Sequence, residues 1–178
     1  MKKNLIAAVP IALVLIFAQA LARRTEPQPL LQGRSKASII DTVKKYVRTA
    51  GATIDDSKST SSMVVSSYSY RRNDKTTIVI LNDERKSLLG FYIYNFGSLK
   101  NASNREEVYK YLLSTNDAIS IGSFFVDSEQ DIGYKYLVSN EQMMSQAAFQ
   151  SVYLMMATVA RERGAEIRKL LEPSSEGK

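Results

Sequence analysis

Apolar residues between positions 39 and 50 recur at spacings of three and four, the period of one face of an α-helix. They are Ile39, Ile40, Val43, Tyr46, Val47 and Ala50. Gly51 follows directly, and glycine commonly ends helices because it adopts a left-handed backbone conformation without a steric penalty. The pattern therefore predicts a first helix that stops at Gly51.

Three runs after this helix are rich in β-branched and aromatic residues, which is typical of β-strands. They are MVVSSYSY from Met63 to Tyr70, TTIVIL from Thr76 to Leu81, and LLGFYIYNF from Leu88 to Phe96. The separators RRND and NDERK are polar and turn-prone, so consecutive strands are expected to pair as an antiparallel meander. A short extended segment is expected just before it, over residues 52–55.

A capping signal marks the next helix. Ser103 with Glu106 matches the capping box that begins a helix. An apolar stripe at helical spacing follows it, made of Val108, Tyr111 and Leu112. Beyond this helix, residues 123–126 and 132–138 predict two further strands around an acidic turn.

The last predicted element is a long helix that ends at Leu171. Ser139 with Gln142 forms a second capping box ahead of it, and Gly164 predicts a kink or a split near its end. Its middle is apolar nearly all round: Met143, Met144, Phe149, Val152, Tyr153, Leu154, Met155, Met156 and Val159. Such a helix is expected to be buried on two sides, one by the sheet and one by the first helix or a second subunit.

The predicted order is helix, three-strand antiparallel meander, helix, two-strand hairpin and long C-terminal helix, which is an α+β fold. Alternating strand patterns imply an antiparallel sheet with one face packed on helices. The domain is predicted to cover residues 36–172. Residues 23–35, which include Pro27 and Pro29, are interpreted as a linker, and residues 173–178 as a flexible tail.

The first 22 residues have the order of an export signal. Lys2 and Lys3 precede an apolar run from Leu5 to Phe17, and small residues follow. We predict a signal peptide over residues 1–22, which places the domain in the periplasm or outside the cell. The alternative is an uncleaved membrane anchor formed by residues 5–22, close to the roughly 20 residues that span a bilayer.

The chain has 178 residues and contains neither cysteine nor histidine. It therefore cannot build zinc sites from thiolate or imidazole or use a thiol nucleophile, and it lacks the side chain that most often transfers protons near neutral pH. We expect no enzyme activity, no catalytic residue and no cofactor. The net charge is +6, but no basic run exceeds two residues, which argues against a nucleic-acid partner.

Acidic residues alternate through the predicted hairpin turn as Asp127, Glu129 and Asp131. A calcium loop would need an acidic residue near its end, where Val138 stands. The turn is therefore interpreted as a solvated turn, and no metal site is predicted.

The order of elements from Ser38 to Leu171 resembles that of the YbjN family, whose fold is similar to class I type III secretion chaperones. The resemblance rests on the helix ending at Gly51, the meander, the helix NREEVYKYLLSTN, the strand pair GSFFVDSEQDIGYKYLVS and the long final helix. It implies the same elements in the same order, in homodimers that bind other polypeptides without chemistry.

Six tyrosines in the predicted strands form the main candidate for a recognition surface. With a period of two, the members of each pair share one face of a strand. The pairs are Tyr68 and Tyr70, Tyr92 and Tyr94, and Tyr134 and Tyr136. Tyrosine gives a large contact area at low entropic cost and carries a polar tip. The alternative is ordinary cross-strand packing.

These observations predict a non-catalytic protein-binding module, chaperone-like or regulatory, that is exported or tethered to a membrane. Its partner is an unidentified protein, and the module itself is expected to be a homodimer. Two alternatives stay open, namely an envelope protein that binds lipid or another small apolar ligand, and a carboxylate-dependent envelope hydrolase. A closed apolar cavity would favour the first alternative, and two carboxylates converging in a deep pocket would favour the second.

Overall fold

The computed structural model describes residues 36–71, 74–94, 96–140 and 144–172. In this part of the chain, three α-helices combine with six strands of one antiparallel sheet, which confirms the predicted α+β class. The predicted signal peptide or anchor, the linker and the tail lie outside the described residues.

Helix α1 spans Lys36–Thr49 and ends as the sequence predicts. Gly51 has a φ of +81°, a backbone conformation that side chains disfavour. Its N–H donates to the Arg48 carbonyl at 3.0 Å, and the Ala52 N–H donates to the Val47 carbonyl at 3.2 Å. This pair of hydrogen bonds is a Schellman motif. Val47 and Ala52 both belong to the core, which is the apolar contact that accompanies such an end.

The strands form a single sheet. They are β1 Thr53–Ile54, β2 Met63–Arg71, β3 Asp74–Asp83, β4 Leu88–Ile93, β5 Ser123–Val126 and β6 Ile132–Ser139. Their order in space is β1-β2-β3-β4-β6-β5. Because β4 pairs with β6, the predicted meander and the predicted hairpin are parts of one sheet. The predicted division into two separate units therefore agrees only roughly with the structure. Pairing between strands far apart in sequence leaves no local pattern from which to predict it.

The predicted capping box at Ser103 is wrong, and Gln142 of the second predicted box lies outside the described residues. The remaining helices are α2 over Arg105–Ala118 and α3 over Gln146–Leu171. Asn104, not Ser103, precedes α2, and it makes no capping hydrogen bond through its side chain. Ser139 is the last residue of β6, and α3 begins after Ser145, whose hydroxyl accepts from the Ala148 N–H at 3.1 Å. A four-residue pattern is short and does not by itself fix the residue at which a helix begins.

Helices α1 and α3 pack on one face of the sheet, and α2 lies against α3 and the β5 end of the sheet. The strand residues beneath them are buried and include Ile78, Ile80, Leu89, Phe91 and Tyr134. Among the described residues, no helix or strand covers the opposite face, which we call the open face. The sheet is thus apolar and buried on one side, as the strand alternation predicts.

Helix α3 occupies the centre of the covered side. The centroid of its Phe149 ring lies 5.3 Å from that of Phe91 in the sheet and 5.5 Å from that of Tyr46 in α1. Helices α1 and α2 both contact α3. The second apolar side predicted for this helix is therefore covered within the chain, although Met155 remains 44% exposed.

Helix α3 continues without interruption through Gly164, where the sequence predicts a kink or a split. Gly164 is buried, and a Cβ atom there would lie 3.2 Å from the ring of Phe96. The glycine thus allows close approach between α3 and the segment after β4. Among the described residues, no helix combines the length and the apolar character needed to cross a membrane.

A buried polar contact joins α3 to the sheet. The Ser66 hydroxyl donates to the Ile78 carbonyl at 3.0 Å, and it lies 2.9 Å from the Tyr153 hydroxyl. Because the single proton of Ser66 is used on Ile78, Tyr153 is the donor in the second bond. Both side chains are fully buried, so this contact satisfies two hydroxyls that would otherwise be costly in the core.

Replacing Ser66 should therefore destabilise the domain more than replacing its partner. Ser66→Ala leaves the buried Tyr153 hydroxyl without an acceptor, at a cost of about 1–3 kcal/mol in unfolding free energy. Tyr153→Phe removes the buried hydroxyl itself, so no unpaired donor is left behind, and the expected loss in unfolding free energy is about 1 kcal/mol. Urea unfolding followed by circular dichroism measures both. Ser67→Ala, the matched change on the open face, should stay within about 0.5 kcal/mol of the parent protein. Equal losses for Ser66→Ala and Ser67→Ala would contradict this account.

Candidate binding surface

The six candidate tyrosines fall on opposite faces of the sheet. Those on the helix-covered face are Tyr68, Tyr70, Tyr134 and Tyr136. The Tyr68 ring, for example, lies 6.4 Å from that of Tyr153 in α3. Tyr92 of β4 and Tyr94, which directly follows the strand, point to the open face, since the alternating residues Phe91 and Ile93 are buried. The structure therefore does not bring the six together as one surface.

The tyrosines on the helix-covered face belong to the core or pack against it. Tyr134 is fully buried, and its hydroxyl donates to the Ile121 carbonyl. Burial raises the pKa of Tyr134 and that of Tyr70 to about 12. The Thr158 hydroxyl partly opposes the rise in the pKa of Tyr70, but the Tyr70 hydroxyl is buried without a hydrogen bond of normal geometry among the described residues. Tyr134 offers no area to a partner, and Tyr68, Tyr70 and Tyr136 are partly buried against the core on the helix-covered face. Tyr92 and Tyr94 are therefore the candidates that remain on the open face.

The aromatic cluster of the open face consists of Tyr92, Tyr94 and Phe125. The rings of Tyr92 and Tyr94 are stacked, with centroids 6.2 Å apart, and Tyr94 meets Phe125 edge to face at 6.0 Å. The ammonium of Lys135 lies 5.0 Å from the centroid of Phe125, within the range of a cation–π contact. Tyr94 is 43% exposed, and Leu137 on the same face is 42% exposed. The cluster is thus an accessible apolar surface with polar groups at its margin.

Two glycines keep the aromatic cluster flat. A Cβ at Gly90 would lie 2.5 Å from the ring of Tyr92, and a Cβ at Gly133 would lie 2.4 Å from the ring of Phe125. Phe125 and Gly133 are cross-strand partners, and an aromatic ring laid over a facing glycine covers backbone that would otherwise be exposed. Both glycines are buried as a result. The rings lie along the sheet and form a platform.

A groove of about 320 Å³ between α2 and β5 adjoins the aromatic cluster. Its apolar lining includes Tyr109, Leu113, Phe125 and Val126, and Asp127 stands among its polar residues. Leu113 is 70% exposed and Tyr109 is 40% exposed. Because Phe125 belongs to both the groove and the cluster, the two form one continuous surface.

Asn116 of α2 covers part of the free edge of β5. Its side-chain amide accepts from the Phe124 N–H at 2.7 Å and donates to the Phe124 carbonyl at 3.1 Å. These are the bonds that a neighbouring strand would make, so Asn116 protects this edge from pairing with another chain. Backbone groups alternate along a strand, so those of Val126 also point outward. No described side chain forms a hydrogen bond with the backbone N–H or C=O of Val126.

Two aspartates, Asp127 in the β5–β6 turn and Asp83 in the β3–β4 turn, accept hydrogen bonds from the backbone of their own turns. The Asp127 carboxylate accepts from the N–H groups of Glu129 and Asp131, each at 2.9 Å. Asp83 accepts in the same way from the Lys86 N–H at 3.3 Å, at the start of a single 3₁₀ turn. In the part of the chain that the structure describes, no three acidic groups are arranged to hold a metal ion.

Four apolar residues of this surface, of which three are exposed and Phe125 is half-buried, were not among the sequence candidates. They are Tyr109, Leu113, Phe125 and Leu137. The sequence does indicate two of them, Phe125 and Leu113. Phe124 and Phe125 are adjacent in a strand, so one must face away from the helices. Leu112 and Leu113 are adjacent in a helix, so they cannot both lie at the centre of its buried stripe.

Asn116→Ala should open the β5 edge. Loss of two hydrogen bonds is expected to cost about 1–3 kcal/mol in unfolding free energy, and the Phe124 amide should exchange its hydrogen faster. Concentration-dependent association should appear as well, because an unprotected edge pairs with other strands. Hydrogen–deuterium exchange and light scattering measure the two effects. Ser114→Ala, an exposed change in the same helix, is the control. Unchanged exchange at Phe124 would show that Asn116 does not protect this edge.

The buried tyrosines predict a loss of stability at alkaline pH. Burial raises the pKa of Tyr134 and that of Tyr153 from 10.0 to about 12 in the folded protein. Since the folded pKa is the higher one, this stability is fully present below the unfolded pKa of 10.0 and is lost as pH rises toward 12. Thermal unfolding over this range, with phenolate absorbance as a second signal, measures the decline. Tyr153→Phe should make it shallower, whereas Tyr109→Phe, at an exposed position, should leave its slope unchanged. An equal slope for both variants would refute the assignment.

Comparison with known proteins gives no assignment: no family model and no curated protein matches this chain. The site is described by its own geometry, which is an aromatic cluster on the open face that continues into the groove between α2 and β5. Tyr92 and Tyr94 are the two predicted residues within it.

Proposed function

We propose that this protein is a non-catalytic module that binds another polypeptide through the open face of its sheet. The observation that carries the proposal is the aromatic cluster. Its Tyr94 is 43% exposed on the open face, whereas helices cover the other face of the sheet. Aromatic residues are enriched at protein interfaces and supply many of their energetically dominant contacts. A polypeptide laid on this face would bury rings that water now contacts.

The shape of the surface favours a polypeptide over a small ligand. Small-molecule sites are concave and enclose most of their ligand. At the aromatic cluster itself, the rings of Tyr92 and Phe125 lie along the sheet over Gly90 and Gly133, so the cluster gives contact area without a cavity. Stable protein interfaces need about 800 Å² on each partner, and the groove beside α2 extends the apolar area beyond the cluster.

Charged groups at the margin supply specificity. Lys135 lies over the Phe125 ring, and Asp127 stands at the groove. An apolar centre with a polar margin is the usual anatomy of an interface, and the charges at the margin select among partners more than they add affinity. The partner is therefore expected to present apolar side chains flanked by both signs of charge.

We further propose that the module is exported or tethered to a membrane, and that it acts as a chaperone or regulator. The support for export is the order of basic, apolar and small residues over positions 1–22. The support for a chaperone-like role is the resemblance of the element order to the YbjN family. That resemblance also makes a homodimer part of the proposal, with the open face as one surface on which a second copy could bind.

Position-specific photo-crosslinking tests the proposal. A photoreactive phenylalanine analogue is placed at Tyr94, at Leu137 or, as the control, at Met155 in the full chain in its native envelope. Met155 has a similar exposure, 44%, but lies on α3. We expect a crosslinked polypeptide of defined mass from the first two positions and none from the third. A product of twice the chain mass identifies a homodimer, and another mass identifies a partner.

The affinity for that polypeptide gives a second readout. Tyr94→Ala should weaken binding about 5- to 30-fold, the effect of losing 1–2 kcal/mol at an interface. Met155→Ala should leave it unchanged. Equal crosslinking at all three positions, or no effect of Tyr94→Ala, would count against the open face as the binding surface.

A further inference from the structure

A second cavity, of about 100 Å³, lies between the start of β3, the end of β4 and the middle of α3. Ile93 and Phe96 form part of its apolar wall, and its charged lining comes from Asp74, Lys75, Arg161 and Arg168. Its volume is roughly three times the ~30 Å³ that a water molecule occupies in the liquid. The cavity therefore admits a group of a few heavy atoms.

The charge of the cavity is unbalanced. Lys75, Arg161 and Arg168 line the cavity together with a single carboxylate, Asp74, so the lining residues carry two positive charges in excess. In the described part of the chain, neither Lys75 nor Arg168 makes an ion pair, and Arg161 reaches only the adjacent Glu162, at 4.0 Å. A cavity that concentrates cations in this way is complementary to an anion.

The two arginines are placed by one helix. Arg161 and Arg168 are seven residues apart, which puts them two turns apart on the same side of α3, with a rise of about 10.5 Å. The guanidinium of Arg161 lies 4.4 Å from the centroid of the Tyr70 ring. Stacking on a ring holds the guanidinium plane and leaves its N–H groups free for an acceptor.

We propose that this cavity binds a phosphate group, either as the free ion or as an ester. A phosphate monoester carries about −1.5 to −2 charge near pH 7, which matches the excess of two positive charges. Guanidinium groups bind phosphate oxygens through paired, charge-assisted hydrogen bonds. The Thr76 residue also lines the cavity and offers a hydroxyl. The proposal uses charged side chains that the aromatic cluster does not contain, although Tyr94 borders both sites.

Titration of the full chain in mild detergent tests this site. Inorganic phosphate is one ligand and glycerol 3-phosphate the other, each at constant ionic strength, with sodium chloride as the salt control. At about ten times the dissociation constant, ligand binding should raise the Tm by about 3–6 °C for a domain of this size. A rise with both ligands assigns a phosphate ester, and a rise with inorganic phosphate alone assigns the free ion. Either result supports the site, and an equal rise with chloride overturns it.

Matched variants locate the binding. Arg161→Gln and Arg168→Gln should each raise the dissociation constant about tenfold or more, because each removes charge-assisted hydrogen bonds. Arg163→Gln removes the same charge from the same helix, but Arg163 pairs with Glu166 at 3.2 Å and does not line the cavity. It should change the constant less than about twofold. Circular dichroism checks folding, and Arg168→Gln remains informative if loss of the Tyr70 contact unfolds the Arg161 variant. Equal weakening by Arg163→Gln and Arg168→Gln would overturn the site.

Discussion

The structure depends on the packing of α3 against one face of the sheet. Phe149 of this helix lies between Phe91 in the sheet and Tyr46 in α1, and burial of a large apolar side chain contributes about 1.5–3 kcal/mol. Helix α1 contacts β1 and β2, helix α2 contacts β5, and both contact α3. The central helix therefore links elements at the two ends of the sheet. The hydrogen bond between Ser66 and Tyr153 sets its position, since any shift would leave buried hydroxyls without partners.

Because the helices cover only one face of the sheet, the other face is left to water, and the features of the candidate surface follow from that. Glycines at positions 90 and 133 let the rings of Tyr92 and Phe125 lie along the strands, so apolar side chains cover the backbone of an uncovered sheet. The free edge beside them is short and is partly closed by Asn116. An edge guarded against strand pairing next to an exposed aromatic platform is consistent with recognition through side chains rather than through β-sheet extension.

Much of the fold could be predicted from local pattern, and the limits of the prediction have identifiable causes. The end of α1 at Gly51 follows from the chemistry of one residue, and the strand runs follow from alternation. The sequence pattern predicts capping boxes at Ser103 and Ser139 ahead of α2 and α3, because a capping box looks the same wherever it occurs. Pairing uses Ser139 in β6, and Ser145 caps α3 instead. The members of each tyrosine pair share a strand face, as the period of two predicts, but the pattern alone does not say which face of each strand the helices cover.

The sequence by itself determined the α+β class, the strand segments, the long final helix and the stop at Gly51, because these depend on the period of apolar residues and on backbone preferences of single residues. Only the tertiary structure decided that β4 pairs with β6, that Tyr134 is buried while Tyr94 is exposed, and that Gly164 serves close packing. It also brought Lys75 of β3 to the same cavity as Arg161 and Arg168 of α3. The physical reason is that these features join residues distant in the chain, and the free energy that selects them comes from packing the whole layer of helices on the sheet.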